Sequence, residues 1–527
     1  MAMNRRKFLG AAAAGAALPS TVNIARAANR DTISIALAAA GPREADPNKT
    51  ILGADNWATE QMFEQLVRPK DGMFGVREED FVPTLAESWK SSDGARTWTF
   101  ALRKGVKFHK GYGEMTSDDV VHSFDRARKG MNRANFFNVK EVVKDGDHSV
   151  VIRLNGPDPL FLGSSVFYNN ASIVSKKADI EKGEGFSQDP VGTGPYELAR
   201  FDQKSGIYVK AFDAYWGEKA KTPNLSILYI SDTTARTLAL LSGNADMIEA
   251  VRAPGWVDSM LKRDKTLKFD MTVPGSFNTL MINLTRKPFD DIRVRRALAH
   301  AMDQTTLATA LTPMGGVVAT INPPGFPAGF TKQQLPPELR YEHDINKAKD
   351  LLKEAGFPNG LDFESNCSQR EDYSSTMLIL QEQIRPAGFR MKLNMMDHTA
   401  FHAANRNDLN TLAMNSSSYP PIPTRVYIDY LSSEANATKD GKGGQNYSHY
   451  GVVTPGIDDQ LKQALNATTY DEYLKICQSI ELQVQRDLPA IGLSTLSYTI
   501  ARNSRVDVGY DVKSGYARWR LHRATAA

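Results

Sequence analysis

Cysteine is almost absent from this chain of 527 residues, which carries only Cys367 and Cys477. Two thiols define no framework of cross-links, so the fold must rest on buried apolar cores. The pair is compatible with one disulfide in an oxidising compartment and with two separate buried thiols. Long apolar runs are also missing. The stretch Phe8 to Leu18 has 11 residues, short of the ~20 that a bilayer-spanning helix needs, and no later segment is apolar enough to span. Charge imbalance is missing too. The net +4 comes from Arg5, Arg6, Lys7 and Arg26, before Ala28, leaving 60 bases against 60 acids in the remainder. A neutral chain gives no electrostatic case for nucleic acid or a membrane surface. Finally, there is no G-x-S-x-G, no H-E-x-x-H and no P-loop. The octapeptide Asp189 to Tyr196 (DPVGTGPY) lacks both the Lys-Ser/Thr of a phosphate cradle and the third glycine of a dinucleotide turn. It reads as a tight turn into a strand.

What is present begins with a leader. Asn4-Arg5-Arg6-Lys7-Phe8-Leu9 is a twin-arginine pattern, Phe8 to Leu18 is its apolar segment, and Ala25-Arg26-Ala27 is an A-x-A cleavage site. The expectation is a signal peptide, residues 1–27, for the twin-arginine (Tat) route, with cleavage after Ala27. No cysteine follows the apolar segment, so a lipoprotein is not expected. The mature chain would be free in a periplasm.

A length of 527 residues exceeds what one core supports, so two or three domains are expected. Thr32 to Ala38 reads as a first strand, ended by Gly41-Pro42. Residues 83 to 111 read as a hairpin. Ser92-Asp93-Gly94 makes the turn, and Trp98, Phe100 and Leu102 alternate with Thr97, Thr99 and Ala101. Thr116 to Asp119 has capping-box spacing and opens a helix with Val120, Phe124 and Ala127 on one face. His109 and His122 are expected to be surface or hydrogen-bonded side chains rather than ligands.

The stretch Phe277 to Asp303 (FNTLMINLTRKPFDDIRVRRALAHAMD) contains a strand pattern from Thr279 to Leu284. Asp290 or Asp291 then caps a helix with an apolar face of Val294, Ala297, Leu298 and Ala301. Arg293, Arg295 and Arg296 fall off that face. Farther on, Asp344 caps a helix carrying Ala348, Leu351, Leu352 and Ala355, and Gly356 stops it.

The wording of several of these segments resembles one family. "KPFDDIRVRRALAHAMD" is similar to the opening of the second lobe in family 5 solute-binding proteins of ABC importers, the peptide-, nickel- and opine-binding family. "PTLAESWKSSDGARTWTFALRKGVKFHKG", "PVGTGPY", Tyr215-Trp216 and "HDINKAKDLLKEAG" resemble further phrases of it, in the same order. The matches run from about residue 45 to about residue 460. The resemblance implies an α/β, two-lobed periplasmic-binding-protein-like fold (class II, cluster C type) with an extra domain in the first lobe. Residues 28–52, 188–268 and 487–527 would form domain I, residues 53–187 the extra domain II, and residues 269–486 domain III, the second lobe. It also implies a monomer that delivers a small-molecule ligand to inner-membrane ABC permease subunits by closing its lobes, with no cofactor.

Family position makes Trp57, Phe277 and Asn278 cleft candidates. Thr495 and Tyr498, on the last strand, are weaker ones. Arg370, in the loop before a helix spanning Thr376 to Ile384, can take a carboxylate or phosphate through its fork or form an ion pair. Peptide-binding members carry an aspartate that pairs with the ligand's amine. Aligning on Tyr419-Pro420 places Ser418 there, and a hydroxyl cannot neutralise a buried ammonium. Asn415, Ser416, Ser417, Ser418 and Tyr419 therefore suit a neutral ligand rich in hydroxyls or amides, such as a sugar derivative or opine-like compound, unless another acid meets the amine. An oligopeptide remains the family's usual ligand. His398 and His402, spaced i, i+4, suggest a metal or two hydrogen-bonded imidazoles; no third ligand is near in sequence. A metallophore- or haem-binding member and an exported enzyme are the competing readings.

Overall fold

The computed structural model describes residues 31–50, 53–130, 133–311, 313–418, 420–514 and 519–527. The twin-arginine leader, its cleavage site and Tyr419 lie outside them. Among the described residues, no helix is long and apolar enough to cross a membrane.

The local signals act as the sequence suggests. The hairpin pairs Ala86–Ser92 with Thr97–Leu102, and Trp98, Phe100 and Leu102 face a core. The helix Ser117–Lys129 opens with a reciprocal cap between Thr116 and Asp119. Asp291 caps Ile292–Ala301 by accepting from the Arg293 N–H, and Asp344 caps Ile345–Glu354 by accepting from Lys347. These caps occupy backbone donors that a helix start leaves unpaired.

Two large cores mark the two lobes, and a smaller cluster gathers Leu240, Ile248, Met260 and Leu267. The first gathers Ile33, Trp57, Phe100, Phe124, Ile227 and, from the end of the chain, Trp519 and Leu521. The second gathers Leu280, Leu298, Met377, Phe401, Tyr427 and Ile480. The first lobe carries a four-stranded antiparallel sheet (Ala86–Ser92, Thr97–Leu102, Ser149–Leu154, Val139–Lys144) beside the helix Ser117–Lys129. The second carries a parallel pair, Leu361–Ser368 with Phe389–Met396, joined by the helix Glu371–Ile384.

A nine-stranded sheet links the lobes. From the first-lobe edge its order is Tyr196–Asp202, Gly206–Ala211, Asn224–Tyr229, Thr32–Leu37, Met247–Glu249, Ala490–Arg502, Lys268–Ile282 and Leu412–Ser417, with Gly315–Gly316 beside Ala490–Arg502. Two of these strands are unusually long. Lys268–Ile282 has 15 residues and Ala490–Arg502 has 13. Their pairing is irregular twice: Leu493 bulges between the Asn278 and Thr279 pairs, and a wider break lies in the middle. Thr272 faces Tyr498 and Ser276 faces Leu496, so three residues of one strand oppose Ser497 alone. At the break the Ser497 N–H donates instead to the Met314 carbonyl, at 2.8 Å. Gly275 lies there; a Cβ on it would sit 2.2 Å from the Tyr498 nitrogen and 2.4 Å from the Leu496 oxygen. Only glycine permits so close an approach of two backbones.

Three expectations change. The strand read from Thr279 begins at Lys268 and ends at Ile282. The helix read from Thr376 begins at Glu371, so Arg370 stands at its N-cap position. Arg295 is buried rather than turned to solvent, because its guanidinium donates to the carbonyls of Phe289, Asp290 and Asp487. Cys367 and Cys477 are free, buried thiols, and burial pushes them up to about 11 and about 12.

Candidate functional site

Where the long strands enter the second lobe, three strands lie side by side in register. Ser417, Phe277 and Thr495 form one row; Ser416, Asn278 and Ser494 form the next. Residues directly opposite in antiparallel strands share a face, so consecutive rows point to opposite sides. Asn278 Nδ2 donates to Ser494 Oγ at 3.2 Å, while its Oδ1 is buried without a partner among the described residues. Ser276 Oγ and Thr279 Oγ1 are in the same condition. Ser276 and Asn278 share one face of the strand and Thr279 the other; buried polar atoms are normally satisfied, so the Ser276–Asn278 face is a candidate place for hydrogen-bonding groups from outside the chain.

Asn415 Nδ2 donates to Gln445 Oε1 at 3.0 Å, the Ser416 N–H donates to the Tyr373 hydroxyl at 3.1 Å, and Ser417 Oγ meets the Tyr430 hydroxyl. Ser418 is exposed. Phe277 is fully buried against Phe326, with ring centroids 5.9 Å apart. Trp57 is fully buried as well; its ring lies 5.4 Å from that of Trp519, and its Nε1–H donates to the Tyr498 hydroxyl at 2.9 Å. Trp57 thus fixes Tyr498 from behind, and the Arg252 guanidinium lies 5.7 Å from the Tyr498 ring centre.

Opposite, in the second lobe, Arg370 turns its fork to Asp372, with contacts of 2.6 and 2.5 Å. Its guanidinium also lies 5.1 Å from the Tyr373 ring centre. The fork that could clasp a ligand carboxylate is thereby engaged, and Asp372 is engaged with it. The remaining nitrogen, Nη1, lies 3.2 Å from His398 Nε2. An arginine only donates, so Nε2 is bare and the neutral His398 ring carries its proton on Nδ1, 2.9 Å from Ser368 Oγ. Burial, then Arg370, hold His398 below its ordinary value. Burial, then His398, bring His402 down to about 4. The two rings stand 4.5 Å apart, but both nitrogens of His398 are occupied, and no group of three potential metal-binding side chains occurs among the described residues. Arg252, from the first lobe, acts electrostatically on Arg370. The site is therefore rich in hydroxyls and amides, with guanidinium groups from both lobes. Arg252 and Tyr373 escaped the sequence reading, since neither carries a motif of its own.

His109 and His122 are structural. His109 lies between the Gly192 N–H and the Gly194 carbonyl, and His122 meets Asp179 at 2.8 Å.

The family model of bacterial extracellular solute-binding proteins, family 5 (Middle), matches residues 80–438. The chain belongs to that family. Within it, the chain is 33% identical over 325 residues to the dipeptide-binding protein of Escherichia coli (strain K12), covering 55% of this chain and 58% of that one. It is 31% identical over 341 residues to heme-binding protein A of Haemophilus influenzae, covering 58% of each. The matches thus span under two thirds of these relatives' length. Among solved structures, MoaA from A. tumefaciens R10 in complex with mannopinic acid superposes with a TM-score of 0.76 at 27% identity, over 94% of this chain and 99% of that one. The two-lobed α/β fold is shared.

Proposed function

We propose that this protein is a solute-binding protein that holds a small polar ligand between its lobes and delivers it to the permease subunits of an inner-membrane ABC importer. The observation that carries this reading is the pair of long strands shared by both lobes, interrupted at Gly275. A break of this kind lets two rigid bodies swing, and a ligand touching both favours the closed state. Family membership and the twin-arginine leader support a periplasmic setting. Replacing Arg5 and Arg6 by lysine should leave the protein in the cytoplasm; unchanged export would rule out the Tat route.

The ligand class follows from the side chains. Trp57, Phe277, Asn278, Arg370, Asn415, Ser416, Ser417, Ser418 and Tyr419 are the proposed binding residues, with Tyr498, Arg252 and Tyr373 added. Asp372 is engaged by Arg370, and Ser418 brings no charge, so a ligand ammonium finds no free acid among these residues. Hydroxyl and amide groups suit the site better, which favours a sugar derivative or opine-like compound over a peptide with a free amino terminus. The test is thermal unfolding of the chain lacking its first 27 residues against oligopeptides, sugar derivatives, opines and Ni²⁺ chelates. A ligand at a hundred times its dissociation constant adds about 2.7 kcal/mol. Stabilisation by opine-like or sugar compounds supports the reading. Stabilisation only by peptides with free amino termini overturns the ligand class, and stabilisation by none overturns the site.

A further inference from the structure

A cavity of about 280 Å³ lies between the four-stranded domain of the first lobe and the second lobe. One wall comes from residues 135–168, including Phe137, Asp158 and Leu160. The other comes from Ile422, which precedes the helix Pro423–Leu431, from Arg425 and Ile428 on that helix, and from residues 464–466 and Tyr473. Its volume is just below the ~300–1,000 Å³ of ordinary ligand pockets. Since both lobes supply walls, the cavity takes this form only while they are together. Pro420 is also in the wall, two residues beyond Ser418, so the cavity begins where the polar strand Leu412–Ser417 runs out.

The charges in the wall are unevenly committed. The carboxylate of Asp158 accepts from the Leu160 N–H at 2.9 Å and from the Ser164 hydroxyl at 2.8 Å, capping its own loop. The Arg425 guanidinium, half-buried in the opposite wall, forms no ion pair among the described residues. Other arginines that bridge or face the interior of this molecule are paired with acids or with carbonyl groups: Arg370 with Asp372, Arg520 with Glu64, Arg295 with three carbonyls. A guanidinium with no paired acid, in a cavity lined by apolar side chains together with amides and hydroxyls, is complementary to an anionic group with an apolar body.

We propose that this interlobe cavity is a second binding compartment, in which Arg425 receives the carboxylate of an apolar acid whose body packs against Phe137, Leu160, Ile422 and Ile428. The compartment rests on the reading of the protein as a lobe-closing binder. The acid is either the far end of the ligand held at the Ser416–Asn278–Ser494 row or a separate small molecule.

Calorimetric titration with 3-phenylpropanoate tests it. Wild-type protein should bind saturably. Arg425→Gln should weaken binding at least tenfold, the uncharged 3-phenylpropanamide should bind at least tenfold more weakly, and Ile428→Trp, which fills the cavity, should abolish binding. Arg390→Gln, an exposed arginine paired with Asp362, is the control and should not change it. No saturable binding to wild type, or equal affinity in Arg425→Gln, overturns the proposal. If Ile428→Trp fails to fold, the Arg425 variant and the amide still decide. Competition with a ligand found in the panel identifies one molecule spanning both sites, and simultaneous binding identifies a separate acid; either supports the compartment. A panel ligand that binds Arg425→Gln normally while phenylpropanoate fails on wild type sinks this inference alone.

Discussion

Replacing Gly275 by alanine tests whether the break between the two long strands is the joint of the molecule. The added Cβ would meet the Tyr498 nitrogen at 2.2 Å and the Leu496 oxygen at 2.4 Å. Ordinary contact begins near 3.4 Å, so the facing backbone must retreat by 3.4 − 2.2 = 1.2 Å. Neither contact is the tip of a flexible side chain. Both belong to the strand Ala490–Arg502, whose backbone is tied on one side to Met247–Glu249 and on the other to Lys268–Ile282. Overpacking of this kind costs about 1–3 kcal/mol, and the rigid opponents place it at the upper end. At ~2 °C per kcal/mol for a domain of this size, calorimetry should show a fall of about 6 °C. The same variant should lose the compaction on ligand binding that small-angle scattering would detect in the wild type. Gly185→Ala is the control, because nothing lies within 4 Å of its added Cβ. A Gly275→Ala protein that melts within 1 °C of wild type and still compacts would refute the joint.

Three further outcomes follow from other sites. Arg520, 2% exposed, meets buried Glu64 at 3.2 Å, and Glu64 also accepts from the Tyr215 hydroxyl and the Trp216 Nε1–H. Arg520→Leu leaves that carboxylate buried and should cost about 3–5 kcal/mol in denaturant unfolding, with part restored by adding Glu64→Gln; a loss under 1 kcal/mol would contradict the pairing. His109 accepts the Gly192 N–H on Nδ1, so its folded form is neutral, and burial brings it down to about 4. The unfolded chain takes up the proton first, so stability is fully present above pH 6.5 and falls as pH drops from 6.5 to 4. His109→Gln should flatten that fall by roughly 3 kcal/mol, and an unaltered pH profile would show that this ring does not govern it. Ser418→Asp puts an acid at the proposed place of the peptide carriers' aspartate, so thermal stabilisation by a dipeptide should appear in the variant; its absence would show that position 418 does not meet the amine.

Much of the fold was legible because much of it is local. The caps at Thr116, Asp291 and Asp344 close within three residues, and the hairpin from Ala86 to Leu102 alternates along its second strand. What was missed is non-local. Lys268 to Thr272 join a strand only because Tyr498 to Arg502 lie beside them, more than two hundred residues later. Arg295 looks like a surface residue by periodicity, and becomes buried only because three carbonyls converge on its guanidinium. In the site, Asn278 and Ser416 were named by family position, while Ser494, their neighbour in the same row, stands 216 residues from Asn278 and carries no motif. Arg370 was open either to a ligand or to an ion pair; the acid that engages it, Asp372, is two residues along, in what reads as the loop before the helix, and carries no motif.

The end of the chain is built into the interior of the first lobe. Thr32–Leu37 pairs with strands at 224–229 and 247–249, and Trp519 and Leu521 then fill the core around them. The second lobe, apart from Leu160, draws its buried cluster from residues 277 to 493. Domains generally fold in the order in which a ribosome makes them. Here that order is reversed: the buried cluster of the second lobe is complete once residue 493 has been made, whereas that of the first also needs Trp519 and Leu521. Removing residues 519–527 would therefore leave the first lobe, not the second, with an unfinished core.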